Sequence, residues 1–339
     1  MLHGHGDNGY VHSQDIRADF SSNVWYGEEP AGLKEHLFRQ WKEINRYPQV
    51  LSESLRERIS RHHGLPPENI LVCSGATEGI YLIAHAFKHQ TTGIVIPSFS
   101  EYEDACRIHE HRVRSLSWEQ LSPTLTLTTD LLWIGNPNNP TGAVFDQLRV
   151  LISHNPGTTF IIDEAFIEFT DALSPVIPLI HRYPNLIVLR SLTKSFVIPG
   201  LRLGYVVAGS ETIERLQSLK LPWSVNAMAA EAGNYIFDNY ASLALPLEQL
   251  LRDKAVFVRQ LEDIGVRVHP GSTHFFLCET PVGTAAELQR YLLDHHRLLI
   301  RDAANFRGLQ PQHFRLATLA PDKNQLLVTA LQEWLKQSI

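Results

Sequence analysis

Five runs of consecutive apolar residues restrict the fold of this chain more than any other feature. They are "ENILVCSG" (68–75), "TGIVIP" (92–97), "DLLWIG" (130–135), "TTFIIDEAF" (158–166) and "NLIVLRSL" (185–192). A strand that is apolar at every position has no face to offer water, so it must be covered on both sides. Helix-like or polar segments separate the runs. In "ATEGIYLIAHAF", for example, Ile80, Ile83, Ala84 and Phe87 fall on one helical face. The alternation predicts an α/β architecture with a mostly parallel sheet between helical layers. Past about Pro222 the texture changes. A long helical region from Asn226 to Leu261 precedes "GVRVHPGSTHFFLCE", a helix, "RLLIRDA", "HFRLATL" and a closing helix from Pro321. That pattern reads as a smaller α+β domain. The expected division is an N-terminal arm over 1–35, a large domain over 36–225 and a small C-terminal domain over 226–339.

With 339 residues, 44% of them hydrophobic, the chain can bury one large core and one smaller one. Its formal net charge of -6 leaves no basic footprint for nucleic acid, although a local arginine cluster could still bind phosphate. Cys73, Cys106 and Cys278 are odd in number and widely spaced, which matches neither a disulfide framework nor a zinc pattern. The start "MLHGHGDNGY" lacks a basic, apolar leader, and no apolar run approaches the roughly 18 residues needed to span a bilayer. A soluble cytoplasmic protein with no membrane partner is the expectation.

Four stretches carry chemistry. In "CSGATEG" a glycine turn opens a helix, and free backbone N–H groups with a favourable dipole can seat a phosphate there; an ordinary βα turn fits the same residues. "GNPNNPTG" (135–142) follows a strand, where α/β folds place ligands, and Asn139 can offer an amide N–H to a phenolate-like oxygen. It also reads as a turn-rich connector. Asp163 ends the apolar run of "FIIDEAFIEF", where a carboxylate needs a buried cation or donor, either a protonated ring nitrogen or a structural arginine. In "VLRSLTKSFVIPGLRLGY" Lys194 lies between two phosphate-binding types, Ser191 and Arg202. A lysine in apolar surroundings tends to lose its proton and become a nucleophile. An amine, a phosphate site and a buried carboxylate are what pyridoxal 5'-phosphate (PLP) requires. The histidines at 62, 63, 295 and 296 and the run "RERISRHH" read as solvated surface. His3 and His5 without further ligands make no metal site.

Taken together, these motifs resemble the fold-type I PLP enzymes of the class II aminotransferase family, and the resemblance runs over nearly the whole chain. It implies a large PLP-binding domain with a mostly parallel seven-stranded sheet, and an arm that joins the substrate site and the small domain. Lys194 would be the Schiff-base lysine, Asp163 the partner of the pyridine nitrogen, Asn139 the partner of the phenolic oxygen, and Tyr102 the ring that stacks on the cofactor. Ser191, Arg202 and the amides of Ala76 and Thr77 would hold the phosphate. Tyr47 in "INRYP" would reach the phosphate of a neighbouring subunit, which implies a homodimer. Arg315 would pair with a substrate carboxylate.

Two branches of the family compete, the L-threonine-O-3-phosphate decarboxylases and the histidinol-phosphate aminotransferases. "HGHGDN" (with His5 and Gly6), "DFSSN" (with Asn23), "SLTKSFVIPGLRLGY", "LPWSVNAMA" and Phe166 resemble the decarboxylases. Asp7, after Gly6, departs from their glycine pair. A small phosphorylated amino acid would then be clamped by Arg301, Arg315, Asn23, Asn139 and the His5–Gly6 backbone. A PLP-binding regulatory domain would need a DNA-binding module that the short N-terminal stretch does not hold. A nucleotide-binding oxidoreductase would need a G-x-G-x-x-G after the first strand.

Overall fold

Each of the five apolar runs contains a strand. The computed structural model describes residues 15–337. In chain order its first eight strands are β1 (Ala18–Asp19), β2 (Ile70–Cys73), β3 (Thr91–Ile96), β4 (Arg112–Ser117), β5 (Leu131–Gly135), β6 (Thr159–Asp163), β7 (Leu186–Ser191) and β8 (Gly204–Val207). Seven of these build one sheet in the order β2-β8-β7-β6-β5-β3-β4. Within it only β8 runs antiparallel to its neighbours.

The continuous apolar runs are explained by two cores, one on each face. Ile70, Val72, Phe160, Ile162, Leu186 and Val188 point to one side. Leu71, Cys73, Ile161, Ile187 and Leu189 point to the other, where Ile80, Ile83 and Ala84 of the helix Gly75–Ala86 cover them. Burying each such side chain contributes about 1.5–3 kcal/mol, so neither face tolerates a polar residue without a partner.

The remaining strands are β9 (Arg267–Val268), β10 (Phe275–Glu279), β11 (Leu298–Leu299), β12 (Arg301–Asp302) and β13 (His313–Ala317). Four of them form an antiparallel sheet in the order β12-β13-β10-β9, over a core that includes Phe20, Phe257, Phe276, Phe314 and Leu331. β1 pairs in parallel with β11, and the Ala317 amide donates to the Phe20 carbonyl at 2.9 Å, so the arm is stitched to this second core.

Two expectations change. The single helical region over Asn226–Leu261 is two helices, Ala227–Asp238 and Leu247–Asp263, separated by a 3₁₀ turn and Pro246. Proline has no N–H to continue the first helix and suits the opening of the second. The first helix sends Ala229, Ala232 and Ile236 into the core of the large sheet, so the chain turns to the second core later than the expected boundary at 226. Among the described residues, no helix is long and apolar enough to cross a membrane.

Candidate active site

The parity of two adjacent strands sorts four charged or polar residues into two pairs. On β6, Asp163 continues the face of Ile161; on β7, Ser191 continues the face of Ile187 and Leu189. Both reach a cleft at the strands' C-terminal ends, the usual ligand position in such sheets. Glu164 and Arg190 have the opposite parity and meet in a buried ion pair, Arg190 Nη1 to Glu164 Oε2 at 3.3 Å. Arg190 therefore pairs with Glu164 and not with Asp163. Asp163 accepts instead from the Tyr102 hydroxyl at 2.7 Å and from the Ala165 amide at 2.9 Å. Burial raises its carboxyl above the ordinary value, while Tyr102, the Ala165 amide and the charge on Lys194 pull it down. Tyr102 stacks on Trp133 at 5.2 Å between ring centroids and lines the cleft.

Just past β7 the chain presents three polar side chains in a row. Lys194 Nζ donates to Thr193 Oγ1 at 2.6 Å, and Thr193 Oγ1 shares a hydrogen bond with Ser191 Oγ at 2.8 Å. Beside them the helix Gly75–Ala86 opens, with Ala76 and Thr77 on the cleft wall together with Arg202. Small residues make this convergence possible. A Cβ at Gly75, whose φ is +77°, would lie 2.6 Å from Arg202 Nη2; one at Gly204 would lie 2.7 Å from the Ala76 amide nitrogen. Arg202 itself is left-handed (φ 60°), a conformation costly for a side chain with a Cβ, and its Nη1 donates to the Pro199 carbonyl at 2.9 Å.

"GNPNNPTG" holds three asparagines with two kinds of work. Asn136 donates to the Phe145 carbonyl and accepts from the Phe145 amide, both at 2.9 Å. Asn138 donates to the Pro97 carbonyl at 2.9 Å and accepts from the Thr141 hydroxyl at 2.7 Å. These two brace the loop. Asn139 faces the cleft, where its Oδ1 accepts from Arg315 Nη1 at 2.6 Å, leaving its amide nitrogen directed elsewhere.

Arg315 stands on β13, 5% exposed, with Nη2 donating to the Ser21 carbonyl at 2.5 Å. The arm thus crosses the cleft: Ser21, Ser22 and Asn23 line it, and the Trp25 amide donates to the Lys194 carbonyl at 3.1 Å. His274 holds this crossing from below, its Nε2 bonded to the Asn23 carbonyl at 3.1 Å and its ring stacked on Phe169 at 4.0 Å. Buried Asn23 Oδ1 has no hydrogen-bond partner among the described residues, which marks a place for a donor from outside the chain.

Of the expected site residues, the cleft brings together Lys194, Ala76, Thr77, Tyr102, Asn139, Asp163, Ser191, Arg202, Asn23 and Arg315, with Phe166 beside them. Arg301 is the cross-strand neighbour of Arg315, and its Nη2 donates to Asn305 Oδ1 at 2.9 Å. Tyr47 is 80% exposed and its ring lies 5.1 Å from that of Trp223. His5 and Gly6 lie outside the described residues. Sequence reasoning missed Thr193, Ser21, Ser22 and His274. The hydroxyl beside Lys194 in "SLTKS" was a usable signal for the first; Ser21 and His274 depend on contacts across more than 200 residues.

The cleft encloses about 280 Å³. A helix N-terminus with a hydroxyl and a guanidinium, fitted together by two glycines, suits a phosphate. A buried carboxylate opposite a lysine amine suits a protonated ring nitrogen and an aldehyde. The residues present therefore fit the cofactor that the sequence implies.

The chain is similar to known proteins over nearly its whole length. A threonine-phosphate decarboxylase of Salmonella typhimurium is 34% identical, over 94% of this chain and 92% of its own length. The crystal structure of L-threonine-O-3-phosphate decarboxylase from Porphyromonas gingivalis superposes with a TM-score of 0.89 at 37% identity, covering 94% of this chain and 99% of that one. A histidinol-phosphate aminotransferase of Caldanaerobacter subterraneus is 31% identical over 90% of this chain and 91% of its own. The family model for aminotransferase class I and II matches residues 18–331, and with that span, this sheet and this cleft the chain belongs to the class I and II aminotransferase family.

Proposed function

We propose that this chain is a PLP-dependent enzyme that decarboxylates L-threonine O-3-phosphate to 1-aminopropan-2-yl phosphate and CO2, a step that serves cobalamin side-arm synthesis. The observation that carries the reading is the meeting, in one cleft, of Lys194, the buried Asp163 carboxylate and an asparagine braced by Arg315. Bound there, PLP supplies an electron sink for the bond broken at the substrate's α-carbon.

The chain's own residues do the rest. Lys194 anchors the cofactor through Nζ and afterwards delivers a proton to the α-carbon, oriented by Thr193 Oγ1 at 2.6 Å. Asp163 keeps the ring nitrogen protonated, and that positive charge replaces the burial cost its carboxylate otherwise carries. Ser191, Arg202 and the amides of Ala76 and Thr77 bind the cofactor phosphate, and the Asn139 amide meets the phenolic oxygen. Arg315 takes the substrate carboxylate, while Asn23, Arg301 and the His5–Gly6 backbone receive the rest of the phosphorylated substrate.

Which bond breaks depends on which one the clamps hold perpendicular to the ring. Phe166 in the cleft wall and the two decarboxylases at 34% and 37% identity support loss of the carboxylate. The histidinol-phosphate aminotransferase at 31% identity supports amino transfer as the second reading.

The same reading makes the enzyme a cytoplasmic homodimer. Phe38, Trp41, Ile44, Tyr47, Leu221 and Trp223 are large apolar residues between 44% and 80% exposed. The Phe38 and Trp41 rings lie 6.3 Å apart, and the Tyr47 and Trp223 rings 5.1 Å apart. Exposed large apolar side chains in such number are commonly covered by a partner, and a second copy would bring its Tyr47 to the neighbouring phosphate site.

The test is to incubate PLP-loaded protein with L-threonine O-3-phosphate and no keto acid, and to measure released CO2. Histidinol phosphate with 2-oxoglutarate is offered in parallel and glutamate is measured. CO2 release is the expected result; glutamate without CO2 reverses the assignment. Lys194→Ala should lose the yellow absorbance of the bound cofactor, and an unchanged spectrum would assign the cofactor to another lysine.

A further inference from the structure

Away from the cleft, the small sheet gathers three metal-ligating side chains that sequence spacing does not announce. Glu279 ends β10, His313 begins β13 directly opposite it, and His269 follows β9 on the other side of β10. The His269 amide donates to the Leu277 carbonyl at 2.8 Å, which places it diagonally from Glu279 on the same face. Three adjacent strands thus contribute one ligand each to one point.

Glu279 Oε1 is 2.9 Å from His269 Nε2 and 3.3 Å from His313 Nε2, and the three ligand atoms all lie within 4.8 Å of one another. Zinc bound at about 2.0–2.2 Å by imidazole and carboxylate in tetrahedral geometry sets its ligand atoms about 3.3 Å apart. The ligands therefore need to move only slightly to admit an ion. The site is neither sealed nor fully open: the side chains of His269, Glu279 and His313 are 29%, 26% and 12% exposed, which leaves room for a water as fourth ligand.

His313 Nδ1 accepts from the Gln310 amide N–H at 3.0 Å, with the Gln310 carbonyl oxygen 3.3 Å away. That bond leaves the ring proton on Nε2, so an ion at Nε2 has to shift the proton to Nδ1 and turn it from the amide to the carbonyl, which then holds the ring. One cation stands near: Arg267 Nη1 is 3.3 Å from Glu279 Oε2. It uses the other carboxylate oxygen and is 72% exposed, so it can yield to an incoming ion. Two imidazoles with one carboxylate select first-row divalent metals over calcium or magnesium.

We propose that His269, Glu279 and His313 form a binding site for a divalent transition metal, with zinc as its probe. The rival explanation is a hydrogen-bonded cluster in which both imidazoles donate to Glu279 and no ion enters. The two differ in calorimetry. Zinc chloride is titrated into EDTA-treated full-length holoenzyme, in the wild type and in the variants Glu279→Gln, His269→Ala and His313→Ala. The expected result is a saturable one-ion event that each substitution weakens by at least about tenfold. Weak binding left in the variants reports the chain's other histidines. Glu279→Gln preserves shape, so it keeps the test valid if an alanine variant fails to fold. Cobalt, whose tetrahedral absorbance should appear in the wild type and vanish in Glu279→Gln, provides a second readout. No saturable event in the wild type, or the same isotherm in wild type and Glu279→Gln, overturns the proposal.

Discussion

Arg315→Lys keeps the charge at the cleft and removes the fork. The guanidinium donates to Asn139 Oδ1 at 2.6 Å and to the Ser21 carbonyl at 2.5 Å. A single ammonium cannot serve both in that plane. Ser21 is only 1% exposed, so its carbonyl would be left without a donor, at about 1–3 kcal/mol. In a chain of this size that lowers Tm by only a few degrees. The larger effect falls on the substrate. One of two charge-assisted bonds to the carboxylate is lost, about 1.5–3 kcal/mol, which is roughly 10- to 150-fold in affinity. The carboxylate sheds its charge as CO2 leaves, so the arginine holds the ground state at least as tightly as the transition state. KM should therefore rise by that factor while kcat falls little. Steady-state CO2 release against substrate concentration measures the split, with a thermal melt run alongside. A lowered Tm with unchanged KM would mean that the guanidinium only braces Asn139 and Ser21, and the role given to it would be wrong.

Three further outcomes follow from the geometry. Gly204→Ala places a Cβ 2.7 Å from the Ala76 amide nitrogen and 2.7 Å from the Arg190 carbonyl, both backbone atoms that cannot swing aside. It should cost about 1–3 kcal/mol and speed cofactor loss on dialysis, and a variant that retains cofactor like the wild type would remove the argument for a tight phosphate seat. Phe38→Asp combined with Trp41→Asp should shift sedimentation from dimer to monomer; a monomeric wild type, or a double variant that stays dimeric, contradicts the proposed interface. The ring of His63 is not the solvated surface group its sequence suggests, since it is partly buried and bonded to the Tyr205 hydroxyl at 2.8 Å. Burial holds His63 and His274 near a pKa of about 3, helped by the charges of Arg190 and His62 at the first and of Arg315 and Lys254 at the second. The unfolded chain takes up these protons near 6.5, so their contribution is complete above that pH and is lost as pH falls towards 3. The unfolding free energy from denaturant titration should drop below pH 6.5 by about 1.4 kcal/mol per pH unit for each of these histidines. Replacing His274 with Asn should flatten that slope, and an unaltered slope would mean the ring is not buried neutral.

What the sequence discloses and what it hides divide along a physical line. The five apolar runs announce strands because each is covered on both faces, β2 at one edge of the sheet included. β4, "RVRSLS", at the opposite edge, escapes because it is partly exposed and mostly polar. β8, "GYVV", begins at the end of the stretch that carries Ser191, Lys194 and Arg202, and its antiparallel direction has no local signature. At the site, Lys194, Asp163, Asn139 and Arg202 are legible because the chemistry of each is written within a few neighbouring residues. The Asn139–Arg315 bond joins residues 176 apart, and the His274–Asn23 bond joins residues 251 apart, so neither leaves a trace in spacing.

One hidden feature nevertheless lay within reach of period-two reasoning. If β6 and β7 are buried strands, then residues 161 and 163 share a face, as do 187, 189 and 191, while 164 and 190 belong to the opposite side. Asp163 could then not be the partner of Arg190, and Glu164 could. An arginine at 190 would have to find its carboxylate on the face away from the cleft, as the buried Arg190–Glu164 pair does. The same parity frees Asp163 to present its carboxylate beside Lys194. A single residue's shift in either strand would exchange the structural ion pair for the cleft carboxylate, which is why the register of these two strands matters to the site as much as the residues themselves.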